Sequence, residues 1–202
     1  MLMPTREAQD EAVRALMHIR AVVDRTTRYS TFSALSGFIA GLAALGGSGI
    51  CGWVPGCPGA TPEAGPRFLT VWAAVFGVAT VALLALTYLK ARKRGEPAWT
   101  PIARTALCAL LGPGLAGVLA TVALGLTGGY QHLPGLWLML YGCGLYGVSF
   151  FAPLFIRVLG LVFMCFGLAA WLGWGTPALW LGLGFGGLHL VFGGIVLARY
   201  RG

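Results

Sequence analysis

Residues 133–173 read LPGLWLMLYGCGLYGVSFFAPLFIRVLGLVFMCFGLAAWLG, 41 residues with a single charged side chain, Arg157. A bilayer core of about 30 Å is crossed by roughly 20 apolar residues, so the stretch is too long for one span and long enough for two. Pro153 divides it, because proline removes a backbone donor and biases the preceding residue away from helix. Two apolar helices joined by a tight hairpin leave no polar face for water. In lipid, backbone groups must be satisfied within the segment, which makes helices the natural solution. The stretch therefore predicts a polytopic transmembrane helical bundle, all-α in class.

Applied outward, the same test yields six spans, at about 31–53, 68–89, 105–128, 133–152, 154–173 and 178–198. Residues 1–30 stand apart as a leading cytoplasmic segment before a transmembrane domain over 31–202. The composition agrees: 57% of the 202 residues are hydrophobic, only 10% are charged, and 32 are glycine. With 14 basic and 6 acidic side chains, a soluble globule of this size could not cover its surface. A cytosolic enzyme, a disulfide-rich secreted scaffold and a disordered chain are thereby excluded.

Orientation follows from Lys and Arg. Arg6, Arg14, Arg20, Arg25 and Arg28 precede the first span, and Lys90, Arg92, Lys93, Arg94 and Arg104 lie between the second and third. Arg157, Arg199 and Arg201 fall on the same side, leaving Arg67 alone on the other. The positive-inside rule then puts both termini in the cytoplasm of a bacterial inner (plasma) membrane, crossed in multiple passes. Trp53, Trp72, Trp137, Trp174 and Trp180 cluster toward the opposite interface, as an aromatic belt would. The net charge of +8 is thus mainly a topology label, with no recognisable nucleic-acid module.

The chain opens on a polar stretch and not on the apolar core of a signal peptide. Ala12, Leu16, Ile19 and Val23 form a narrow apolar stripe among charges, which predicts an amphipathic N-terminal helix. Such a helix lies on the cytoplasmic leaflet or docks on a partner helix. Small residues four apart predict tight helix packing at Ser33/Gly37/Gly41, Gly117/Thr121/Gly125 and Gly182/Gly186, with the first, third and sixth spans forming the inner seams. Gly142-x-Gly144-x-x-Gly147 matches a dinucleotide fingerprint in letters only. Inside an apolar helix it too signals close packing.

Few residues carry chemistry. All six carboxylates fall outside the spans, which argues against a buried-carboxylate proton pathway, and no metalloprotease or activated-serine pattern is present. The expectation is therefore no enzyme. Cys51 and Cys57 flank a Pro/Gly-rich outer loop in an oxidising compartment, which favours a disulfide over free thiols or a metal role. His189 shares a helix face with Gly182, Gly186 and Gly193 at 100° per residue, so its imidazole should enter the glycine seam. It is either a core histidine bonded to Tyr141, Tyr146 or Thr121, or a ligand to haem or another pigment, or a substrate contact. Arg157 either snorkels to the headgroups or meets a substrate anion. Pro113, in Gly112-Pro113-Gly114, should kink the third span.

Ile19-Arg20, Asp24-Arg25-Thr26-Thr27-Arg28-Tyr29 and Ser36-Gly37 lead into the first span. Together with Tyr141-Gly142, Ile156-Arg157-x-Leu159-Gly160 and Gly184-Phe185-Gly186-x-x-His189, they resemble a group of small bacterial inner-membrane proteins without an assigned activity. The resemblance runs loosely from about residue 12 to the end. It implies a six-helix bundle with a leading cytoplasmic helix, and no activity.

Three functions fit these residues. The first is a non-enzymatic accessory, assembly or sensory component, whose partners are the lipid bilayer and either another membrane protein or a second copy. The alternative is a small transporter or channel for a neutral or apolar solute. The third is a haem or pigment carrier through His189. A transporter needs a pocket near mid-membrane that reaches His189, Tyr141 or Thr121, whereas an accessory protein should be filled solid.

Overall fold

A computed structural model describes residues 11, 14, 16–17, 34–53, 63–95, 97–150 and 152–200. Every element among them is helical: α1 Ala34–Trp53, α2 Gly65–Arg94, α3 Pro101–Thr127, a 3-10 turn Tyr130–His132, α4 Leu133–Val148 and α5 Leu154–Trp171. The last helix, α6, joins three pieces, Pro177–Leu181, a π-helical segment Gly182–Leu188, and His189–Tyr200. Five helices are long and apolar enough to cross a membrane: α1, α2, α3, α5 and α6. Glu11, Arg14, Leu16 and Met17 are helical, with Leu16 and Met17 exposed. The rest of the expected leading helix lies outside the described residues, as does Cys57.

Local chemistry sets the helix ends. Gly95 closes α2 at φ 65°, a left-handed cap whose N–H reaches the carbonyls of Ala91 and Arg92. The Thr100 hydroxyl accepts the Ala103 N–H at 3.1 Å and starts α3, with Pro101 in the first turn. α2 and α3 therefore run beyond the expected 68–89 and 105–128 into the basic connection. α4 is shorter than the expected 133–152. At 16 residues it rises about 24 Å, and it ends where the Ser149 hydroxyl turns back to the Tyr146 carbonyl at 2.6 Å.

The tightest seam is α4 on α5. A Cβ on Gly142 would meet the Gly160 carbonyl at 2.6 Å, and one on Gly160 would meet the Gly142 carbonyl at 2.8 Å. Gly135 and Gly167 repeat the reciprocal arrangement two turns away, at 2.8 and 2.7 Å. α1 and α6 form a second seam, in which Gly37 lies on the His189 carbonyl, Gly41 on Leu190 and Gly186 on Leu45. The expected third-span seam is absent. Gly112 and Gly114 face open space, and Gly117 and Gly125 touch only Leu140 and Tyr130 at ordinary distances. Gly144 instead supplies the contact between α4 and α3, against Leu110.

α3 packs on α4, and α2 packs on α1, yet α2 and α3 share almost no packing although they are consecutive. The bundle is a ring left open on one side. At one end the opening is closed by Tyr130, whose ring fills the place of a Gly65 side chain, and by Phe68, Trp72 and Trp137. Trp72 is completely buried there and Trp137 stacks on Phe68 at 5.6 Å. These two tryptophans hold helices together and do not form part of a lipid-facing belt. Their faces, and not their depth, decide this.

Candidate functional site

The π segment is the structural irregularity that builds the site. Its wider turn changes the angular phase of α6, so residues on either side no longer follow 100° per residue. Gly182, Gly186 and Gly193 still face α1, against Ser48, Leu45 and Ala34. His189 does not join them. Its ring turns toward α4 and α5, where its Nε2 lies 2.9 Å from the Tyr141 hydroxyl, with Phe163 and Phe185 at 5.7 and 6.2 Å. The imidazole points into the bundle but not into the expected glycine seam. Of the three partners considered for it, Tyr141 is the one in place. The Tyr146 carbonyl serves Ser149, and Thr121 is engaged elsewhere.

Tyr141 and His189 line a cavity of about 580 Å³ in the interior of the ring. Trp72, Phe76 and Phe185 form its inner end, while Tyr88 and Trp99 stand at the end nearest the α2–α3 connection. Along α2 the lining runs from Trp72 to Tyr88, about 24 Å at 1.5 Å per residue, so the chamber is elongated. Its wall is overwhelmingly apolar, and on its α2 side it borders the gap between α2 and α3. The size falls within the range of about 300–1,000 Å³ seen for small-molecule sites, which are commonly apolar with a few convergent polar groups. Here the polar groups include the hydrogen-bonded Tyr141–His189 pair and the Trp72 indole N–H, which is buried without a partner.

The other expected polar residues lie apart from this pair. Thr121 donates to the Gly117 carbonyl at 2.7 Å and accepts the Trp137 indole N–H at 2.8 Å, pinning α3 to α4. Arg157 is held at the α4–α5 hairpin, its Nε donating to Ser149 Oγ at 3.2 Å and its guanidinium 5.1 Å from the Phe150 ring centre. That location ties the side chain to the protein and keeps it out of the chamber lining. Cys51 is buried at the far end of α1 and its expected partner lies outside the described residues. Among the described residues no group of three or more His, Cys, Asp or Glu comes together as a metal site.

For a tetrapyrrole iron, Nε2 of His189 would first have to lose Tyr141. Nδ1 is buried with no hydrogen-bond partner, and the imidazole lies beside the backbone carbonyls of Phe185 and Gly184. The pair as built does not fit an axial-ligand role.

The aromatic end of the chamber went unread in the sequence although a signal existed. Phe68, Trp72 and Phe76 recur every four residues, one face of a helix, and all three meet partners across the interior. Phe76 meets Phe185 edge-on at 5.5 Å and Trp72 meets it at 6.1 Å. No known protein family, curated protein or solved structure matches this chain. The fold and the chamber therefore carry the functional argument by themselves.

Proposed function

We propose that this chain is a six-span protein of the bacterial inner membrane, both termini cytoplasmic, that binds and carries a neutral apolar solute in its central chamber. The observation that carries the reading is the elongated apolar cavity ending near the buried Tyr141–His189 pair. A protein acting through packing alone has no use for a chamber of this size among its helices, since close packing would fill it with its own side chains. The sorted basic residues support the orientation. Among the described residues Lys90, Arg92, Lys93, Arg94, Arg104 and Arg157 flank helix ends on one side, and Arg67 alone is on the other. α4 serves as the sixth, shorter span, flanked by hairpin residues at both ends.

The solute is neutral because no carboxylate lies in a span and the one arginine near the interior is engaged by Ser149. Nothing in the chamber could compensate a charged ligand. The test is purification in mild detergent, followed by native mass spectrometry with extraction of bound small molecules. A neutral apolar molecule should copurify with the wild type. It should be lost from Ala79→Trp, which fills the chamber from the loosely packed α2. A wild-type protein that carries nothing, and melts identically with and without added apolar solutes, overturns the proposal. Copurification of a second membrane protein alone would return the accessory role to first place.

A further inference from the structure

The hydrogen-bonding state of the Tyr141–His189 pair narrows the ligand class, an inference that rests on the carrier reading above. The ring of His189 has two nitrogens with different surroundings. Nε2 faces the Tyr141 hydroxyl at 2.9 Å. Nδ1 is buried without a partner, and the imidazole lies beside the carbonyls of Phe185 and Gly184 in the preceding turn of its own helix. A helical side chain leans back over that turn, so Nδ1 is the nitrogen directed at the carbonyls. Carbonyl oxygens only accept. A bare Nδ1 lone pair would oppose them, whereas an Nδ1–H is attracted to them even at imperfect geometry.

The proton of the neutral imidazole therefore belongs on Nδ1, which leaves Nε2 as an acceptor. Tyr141 must then donate its only O–H to Nε2. What remains of the pair toward the chamber is the acceptor capacity of the phenolic oxygen, in a mainly apolar wall that also carries the Trp72 indole N–H, buried without a partner, and the hydroxyls of Thr80, Thr87 and Tyr88. At the pair, a ligand atom that only accepts, such as a ketone or ether oxygen, finds no donor. A ligand O–H finds a partner. The elongated shape adds the second property: the chamber extends along α2 as far as Tyr88 and borders the open flank between α2 and α3. An acyl-like chain can lie in it and pass sideways into the bilayer.

We propose that the chamber takes a single-chain neutral lipid alcohol, its hydroxyl donated to the Tyr141 oxygen and its chain lying along α2 toward the α2–α3 gap. The Tyr141–His189 pair selects the hydroxyl, and the apolar walls select the chain. Selectivity of this kind follows from the asymmetry of buried hydrogen bonds, in which an unmatched polar atom costs more than a matched one gains.

The test uses the full-length protein in nanodiscs and three chain-matched probes: hexadecanol, its methyl ether and the corresponding methyl ketone. Competition against a fluorescent alkyl probe gives relative affinities. Hexadecanol should bind roughly three- to tenfold more tightly than the other two, the worth of one net hydrogen bond. Tyr141→Phe combined with His189→Phe should bring the three affinities together while all still bind, because in Tyr141→Phe alone the Nε2 lone pair can still accept the hydroxyl. His189→Phe frees the Tyr141 O–H to donate, so the ketone and the ether should gain and their gap to hexadecanol should narrow. Equal affinities in the wild type, or a ketone preferred there, overturn the alcohol inference and leave the apolar carrier standing. Failure of all three probes to bind, with Ala79→Trp indistinguishable from wild type, overturns the carrier itself.

Discussion

The α4–α5 hairpin and the α2–α3 pair are both two apolar helices joined by a short connection, and they are built in opposite ways. In α4–α5 the glycines meet backbone to backbone at Gly142/Gly160 and Gly135/Gly167. In α2–α3 the glycines Gly77, Gly112 and Gly114 face open space and the helices diverge around the chamber. Lipid chains are as apolar as leucine, so association in the membrane depends on packing and interhelical hydrogen bonds. Glycine serves both sides of that rule. Where it is matched by another glycine it brings backbones together, and where it is unmatched it leaves a helix with little to hold it.

The largest effect should come from breaking the closed side. Gly142→Leu drives a side chain into the Gly160 carbonyl and the Met164 backbone, neither of which can yield as a flexible side chain would. The expected cost is at least about 3 kcal/mol, the upper end of overpacking penalties. Unfolding in mixed detergent micelles should show it as a large drop in midpoint, or as failure to recover folded protein. If Gly142→Leu is tolerated within about 0.5 kcal/mol, well below those penalties, the two halves do not differ in the way described.

The class of the fold was legible because it rests on the cost of unsatisfied backbone in lipid, a rule that depends on composition and length and hardly on neighbours. The pairing of helices was not. Glycines four apart mark a helix face fit for close approach, but the motif is the same whether a partner is present or absent. Gly117 and Gly125 looked like Gly37 and Gly41 for that reason. His189 was legible as an inward-facing residue, and Tyr141 as one of its possible partners. Its precise direction was not, because the π segment Gly182–Leu188 breaks the 100° periodicity on which the projection depended. A run with Gly182, Gly184, Gly186 and Gly187 gives the helix freedom to widen, yet nothing in it dictates where.

A moderate effect should follow from loosening the brace that joins the two regions. Trp137 of α4 stacks on Phe68 of α2 and donates to Thr121 of α3, so one indole holds both flanks of the opening at its closed end. Thr121→Val keeps the shape and removes the acceptor, leaving the indole N–H without a partner. Interhelical hydrogen bonds in membrane proteins average about 0.6 kcal/mol and reach about 1.7, and the loss should lie in that range. Faster hydrogen exchange or greater spin-label separation between α2 and α3 should accompany it, with the α4–α5 hairpin unchanged. Equal loosening of both regions would mean that Trp137 stabilises the bundle as a whole and does not brace the gap.

The smallest effect belongs to Gly114→Ala on the open side. A Cβ there meets nothing within 4 Å, and alanine is the better helix former, so stability should hold or rise by up to about 1 kcal/mol. The value of the experiment lies in its environment. In detergent the substitution reports only on α3 itself, whereas in native membranes it also reports on whatever lies against α3. If the variant melts like the wild type in both, the flank faces lipid and remains open to a ligand entering sideways. If it is destabilised only in native membranes, a protein partner packs against Gly114, and the opening between α2 and α3 is an interface that the partner closes.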